Sequence, residues 1–303
     1  MQTSPTGYAH PGYARSLAEF GTPLELTRSG GWMLERPVAK GGASDAMGCY
    51  PLLFCRDWRS LREDLDALEG RIVSACAVPD PFGAHDEALL RDAFRDVVTP
   101  FKQHFFTDMH VPLEESVSRH HRKYARKALR DVDAEVVADP AGYLDEWLGL
   151  HHWLVARHEA SGIRAFSPRA FAAQLSLPGA VVVRATHRGV PVGAQLWFQH
   201  EDVAYGHVLA FTPDGYQLGA PYALYWFALS HFVGKVRWCS FGGVSGTEVA
   251  SPEGLARFKR GWATGTRTAY FCGRILDRAR YDDLVVRAGT PARNFFPAYR
   301  TSF

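Results

Sequence analysis

Apolar and polar positions alternate along this chain with two periods, and the switch between them predicts its elements. Leu61, Leu65 and Leu68 recur at helical spacing among charged residues, and residues 71–78 form an apolar run closed by Pro79 and Pro81. That is a helix over 58–68 feeding a buried strand. The grammar repeats with a helix over about 86–98, ending before Pro100, and a strand over 104–111. Residues 113–130 predict an amphipathic helix, with Val117, Tyr124, Ala125 and Ala128 on one side and Glu114 and Glu115 in its first turn, where they suit the helix dipole. A further helix is expected over 140–161, leading through a loop to 168–177. A three-stranded antiparallel meander follows at 180–186, 192–199 and 203–211, then a helix from Ala220 with Pro221 acceptable at its first position, and strands at 236–241 and 268–276. Residues 1–50, broken by Gly30-Gly31 and Gly41-Gly42, predict only short strands. The fold class is α/β (α+β), with helices flanking mostly antiparallel mixed sheets.

A chain of 303 residues with 47% hydrophobic content can bury one large core or two ordinary ones. Basic and acidic residues number 34 and 32, which excludes a protein coated in nucleic acid, so any such contact is local and DNA is not an expected partner. Cys49, Cys55, Cys76, Cys239 and Cys272 form an odd set without C-x-x-C or zinc spacing and read as reduced core residues. The first residues lack the basic and apolar regions of an export signal, and the nearly charge-free run 219–234 is short for a bilayer, so a buried helix, a cytoplasmic location and no integral membrane contact are expected.

Several chemistries lack their motifs. His120-His121 and His151-His152 have no H-E-x-x-H partners, no Walker loop or G-x-G-x-x-G opens a helix, and in Gly243-Val244-Ser245-Gly246-Thr247 the last glycine comes one residue early for a hydrolase elbow. No metal and no tightly bound cofactor are expected. Tyr205 and His207 alternate onto one face of the third meander strand with Leu209, where they either relay a proton or sit as satisfied core groups. Gln195 and Trp197 share a face of the neighbouring strand and either line an acceptor pocket or pack the sheet. Arg119, Arg122, Lys123, Arg126 and Arg130 form a basic helix face suited to an RNA backbone or a phosphorylated acceptor, or to solvent. Lys259, within the run Arg257-Phe258-Lys259-Arg260, reads on its own as a solvated lysine.

Three segments in order change that reading. Ser118-Arg119-His120-His121-Arg122-Lys123-Tyr124-Ala125-Arg126 is a basic helix, Gly189-Val190-Pro191-Val192-Gly193-Ala194-Gln195-Leu196 a glycine-marked strand, and Gly254-Leu255-Ala256-Arg257-Phe258-Lys259-Arg260-Gly261-Trp262 lies between a strand ending in Gly242-Gly243 and one at Thr268-Ala269-Tyr270. Together they resemble the Fem family of peptidoglycan-bridge peptidyltransferases and related GNAT-fold N-acyltransferases. The resemblance implies two tandem GNAT-like modules, residues 1–137, completed by 277–303, and 138–276 with the transfer site. It implies an acyl- or aminoacyltransferase of natural-product or cell-wall biosynthesis, with Phe258 and Lys259 at the transfer centre and Lys259 meeting a developing negative charge or a donor phosphate; on their shared strand face, Tyr205 and His207 would then handle the proton.

The donor would be aminoacyl-tRNA, slightly favoured, or acyl-CoA or an acyl carrier protein, and the acceptor an amine on a small molecule, glycan or peptide. The coenzyme A loop of GNAT enzymes, Q/R-x-x-G-x-G/A, would fall on Tyr216, Gly219 and Pro221. Only Gly219 matches, and the proline removes an amide donor. A non-catalytic module that binds a glycan or a partner is the alternative from another class.

Overall fold

The computed structural model describes residues 4–38, 42–159, 161–244, 252–289 and 296–300. Helix α1 (Pro11–Ser16) precedes a meander of β1 (Thr22–Leu26), β2 (Gly31–Val38) and β3 (Ala43–Gly48). Helix α2 (Leu61–Asp66) leads to β4 (Ile72–Ala77), buried at every position, and α3 (Glu87–Phe94) leads to β5 (Val97–Asp108). Then come α4 (Leu113–Ser116), α5 (Arg119–Ala128), β6 (Asp133–Val136), α6 (Leu144–His158) and α7 (Pro168–Leu175). The second meander is β7 (Ala180–His187), β8 (Val190–His200) and β9 (Val203–Phe211), followed by α8 (Pro213–Gln217) and α9 (Ala220–Phe232). The chain continues through β10 (Trp238–Gly242), α10 (Pro252–Arg260), β11 (Gly265–Ile275) and α11 (Arg278–Ala288). No helix among the described residues is long and apolar enough to cross a membrane.

Two compact units result. The first is built mainly from Tyr8–Phe101 and Thr268–Phe303, the second mainly from Lys102–Ser161 and Ser167–Arg267. The units therefore change over inside β5 and β11, away from the expected position 137/138. In the first, β1, β2 and β3 pair antiparallel, β3 pairs parallel with β4, and β4 pairs antiparallel with β11. In the second, β7, β8 and β9 pair antiparallel, β9 pairs parallel with β10, and β10 pairs antiparallel with β5, while β6 edges β7. Each unit thus follows the same order of meander, parallel step and antiparallel closing strand.

The core of the second unit shows why its helices sit where they do. Ala125 and Ala128 of α5 cluster with Ala220 and Ala223 of α9, small residues that let the two helices approach closely, and Trp197, Ala204, Cys239 and Trp262 fill the layer against the sheet. Leu26, Met33, Leu61, Leu65, Leu90 and Phe94 form the corresponding core of the first unit.

Three expectations are corrected. The helix over 113–130 is broken, because Val117 is extended and the Ser118 hydroxyl accepts from the His121 amide as an N-cap, so Glu114 and Glu115 belong to the single turn of α4. Tyr124 consequently turns outward and is 43% exposed. Helix α3 stops at Phe94, where Arg95 takes φ 61°, and the β-branched residues Val97, Val98 and Thr99 start β5 ahead of Pro100. The remaining expected helices and strands are present within a few residues, and α1, β6, α7, α8, α10 and α11 are additions.

In the first unit, fully buried Asp45 accepts from Arg36 Nε at 3.1 Å and from Arg300 Nη2 at 3.0 Å. Asp45→Ala leaves the Arg36 guanidinium buried without its carboxylate, a change that costs about 3–5 kcal/mol, and urea unfolding should show a loss of that order.

Candidate active site

Strands β9 and β10 pair for three residues, from Val203 with Trp238 to Tyr205 with Ser240, and the recorded ladder ends there. A bulge lies at the same place: Trp197 of β8 faces Gly206 while Leu196 faces Val208, which leaves His207 as the extra residue. Past Ser240, Gly242 takes a left-handed φ of 67°. The carbonyls of Phe241 and Gly243 then both accept from Lys259 Nζ, each at 2.6 Å. A lysine of α10 thus satisfies backbone groups where the parallel ladder has stopped.

Lys259 is 8% exposed and has no ion-pair partner among the described residues. Burial, with help from the charge of Lys102, pulls its pKa down to about 8. Two of the three ammonium hydrogens are committed to carbonyls, and none of the described residues takes the third. A single N–H aimed from a fixed ammonium is a donor suited to a charge that develops during reaction.

Strand β5 supplies the other side of this centre. A Cβ at Gly243 would come within 3.0 Å of Lys102 Cβ and Cδ and 3.3 Å of His104 Cδ2, so both side chains pack on the backbone that holds Lys259. His104 is buried, its Nδ1 has no partner among the described residues, and burial followed by the charges of Lys259 and Lys102 pulls its pKa down to about 3, keeping the ring neutral.

The C-terminal turn of α10 is docked on α5. The Ser118 amide donates to Gly261 O at 2.9 Å, and His121 Nε2 lies 2.9 Å from Phe258 O, so the last carbonyls of α10 are satisfied from a neighbouring helix. With Nε2 as donor, Nδ1 accepts from the Ser118 hydroxyl at 2.9 Å, and burial lowers the ring's pKa, consistent with that neutral form. The His121 ring packs edge-on against Trp262 at 4.9 Å and lies 5.4 Å from Phe258. Gly261 makes room for it, since a Cβ there would come within 2.0 Å of His121 Cε1.

The expected residues divide between the two faces of the sheet. Lys259 and Phe258 share the face with Trp197, through Tyr225, which lies 5.1 Å from Phe258 and 6.5 Å from Trp197. Gln195 and Trp197 are fully buried, with Trp197 Nε1 donating to Gln195 Oε1 at 2.9 Å, so they build the core beneath the site, and an open acceptor pocket is not lined by them. Tyr205 pairs with Phe198 on the opposite face, and His207 lies 3.1 Å from Gln174 Oε1 of α7 and 4.9 Å from the Phe198 ring. Burial, aided by His151, pulls the His207 pKa down to about 3. The expected proton relay beside Lys259 is corrected accordingly. The bulge also moves Leu209 to the face of Ala204, away from Tyr205.

Arg119 and Lys123 are exposed on α5, and Arg122 is half-buried with Nε unpartnered among the described residues. Tyr216 lies under Arg157, whose guanidinium carbon is 4.2 Å from the ring centroid, and Gly219 takes φ 75° as it opens α9. The amides of Tyr216, Leu218, Gly219, Tyr222 and Ala223 all donate to carbonyls of the same segment, and Pro221 has none. Few amides therefore remain at the start of α9 for a pyrophosphate. Residues 245–247 of the excluded hydrolase motif lie outside the described residues. Among those described, no three His, Cys, Asp or Glu side chains gather as a metal site.

Residues 115–260 match the family model described as acetyltransferase (GNAT) domain. This segment is similar to GNAT acetyltransferase domains. It contains the basic helix, the meander, the bulge and Lys259. A structure of FemX aligns with a TM-score of 0.65 at 13% identity, covering 89% of this chain and 92% of that one. The C-terminal domain assigned to a lysylphosphatidylglycerol synthetase from Agrobacterium fabrum aligns at 0.63 and 16% identity, over 92% and 93% of the two chains. L-PGS from Bacillus licheniformis aligns at 0.56 and 13%, over 90% and 94%. At these identities the likeness is one of fold, and it extends beyond the GNAT segment to most of the chain. Comparison with curated proteins finds no match.

Gly261→Ala forces a methyl group into the His121 ring. Overpacking of this kind costs about 1–3 kcal/mol, so the variant's denaturant midpoint should fall with an unchanged slope. An unaltered midpoint would mean that His121 does not occupy the cap of α10.

Proposed function

We propose that the protein forms an amide bond between an activated acyl donor and an amine acceptor, with aminoacyl-tRNA slightly favoured over an acyl thioester as the donor. The observation that carries this reading is Lys259, held by two carbonyls where β9 and β10 part, with one N–H uncommitted among the described residues. In the reaction, the lone pair of the acceptor nitrogen attacks the acyl carbon and the carbonyl electrons move to oxygen. The free N–H of Lys259 donates to that oxyanion, a contact of the type worth about 10²–10³ in rate. The tetrahedral species collapses as the donor's ester oxygen or thioester sulfur leaves and takes up the proton that the nitrogen gives up. Phe258 precedes Lys259 on α10 and packs against Tyr222 and Tyr225, which fixes the wall beside the reacting carbon.

The preference between donors rests on the start of α9, where amides that would cradle a coenzyme A pyrophosphate are already used and Pro221 offers none. It also rests on the Fem resemblance of the Phe-Lys segment. The acceptor belongs to the class of amines on cell-wall, glycan or small-molecule substrates, and the reaction is cytoplasmic. The repeated order of meander, parallel step and closing strand supports reading the two units as tandem GNAT-like modules. Just past α3, the counterpart of α10 in that order, Arg95 forms a surface ion pair with Asp66. A purely binding module gains nothing from a buried lysine with no ion-pair partner among the described residues, whereas perturbed lysines accompany catalysis.

Equilibrium binding of labelled aminoacyl-tRNA, competed with acyl-CoA across a salt series, tests the donor. Salt-sensitive binding that coenzyme A does not displace is the expected result. Tight thioester binding without RNA affinity reassigns the donor, and absence of both leaves the non-catalytic module.

A further inference from the structure

Helix α5 is basic on its exposed side and has no charge compensation. Arg119, Arg122, Lys123, Arg126, Lys127 and Arg130 form no ion pair among the described residues, whereas Arg28, Arg62, Arg71, Arg91, Arg184 and Arg278 elsewhere each hold a carboxylate. The chain's net charge is only +2, so this concentration of positive charge is local. On the same helix an aromatic group reaches solvent. His120 and Tyr124 have centroids 4.4 Å apart at 34°, Tyr124 and Tyr222 are 5.2 Å apart at 34°, and Tyr222 lies 5.1 Å from Phe258. His120 and Tyr222 are themselves 6.3 Å apart. Both pack on Tyr124, which remains 43% exposed as a residue.

We infer that Tyr124, backed by His120 and Tyr222 and flanked by Arg119, Lys123 and Lys127, is a stacking platform for the terminal nucleobase of the acyl donor, with the helix cations holding its phosphates. This rests on the acyl-transfer reading above and adds the site that takes the nucleotide end of the donor. A flat, exposed ring among cations binds any base through its π-face while the charges bind the backbone. The ring series runs from this platform to Phe258, the residue next to Lys259, so a base on Tyr124 lies at the outer end of an aromatic path that starts at the transfer centre. The adenine of a tRNA 3′ end and the adenine of coenzyme A share this chemistry.

The test is equilibrium binding of a CCA-ended RNA minihelix and, separately, of coenzyme A to the full-length wild type, Tyr124→Ala and Tyr124→Phe. The exposed position of Tyr124 leaves folding intact, which unfolding midpoints verify. The expected result is RNA affinity weakened about tenfold in Tyr124→Ala and retained in Tyr124→Phe. The same Tyr124 dependence for coenzyme A, with no RNA affinity, also upholds the platform and identifies the donor as a thioester. If wild type and Tyr124→Ala bind either probe equally, the platform is wrong and the acyl-transfer reading stands. If the wild type binds neither probe, both fall.

Discussion

Everything at the centre of this molecule follows from one constraint: two strand carbonyls, Phe241 and Gly243, must be satisfied at a place where the parallel ladder has ended. A buried carbonyl left without a donor costs about 1–3 kcal/mol, and there are two of them. Lys259 supplies both donors from one nitrogen, which requires α10 to be placed with little tolerance. That placement is achieved by satisfying the last carbonyls of α10 with the Ser118 amide and the His121 ring, and by a glycine at 261 that admits the ring. The result is an ammonium whose position is set by the backbone and whose protonation is poised by burial.

The same elements join architecture to chemistry. Helix α5 packs on α9 through alanines, caps α10 through His121, and turns its cations outward. One helix therefore anchors the transfer lysine and faces the solvent from which a charged donor arrives. The bulge at His207 has a comparable double effect. It accompanies the end of the β9–β10 ladder, and it turns Leu209 to the face of Ala204 and Trp197 while His207 stays against Gln174 of α7.

Much of this was legible in the sequence because it is encoded locally. The meander, the α9 helix and the positions of most strands follow from periodicity and breakers, and the Phe-Lys segment drew notice through its resemblance. What escaped were features that depend on partners distant in the chain. Lys102 and His104 join Lys259 across more than 150 positions, and no local pattern marks them. The bulge is a property of the register between two strands, so strict alternation assigned Leu209 to the wrong face. Ser118 did carry a local signal, a side-chain cap three residues before the His121 amide donor. Reading it would have split the helix over 113–130 and turned Tyr124 outward.

The most direct test of Lys259 as the charged donor to the oxyanion is the pH dependence of single-turnover acyl transfer in wild type and Lys259→Arg, with whichever donor binds. With a lysine pKa of about 8, the wild-type rate should fall as pH rises through that value, because the ammonium is lost, and the falling limb should move to higher pH in Lys259→Arg. A wild-type rate that instead climbs through pH 8 and is abolished by arginine would make Lys259 a base and contradict the account.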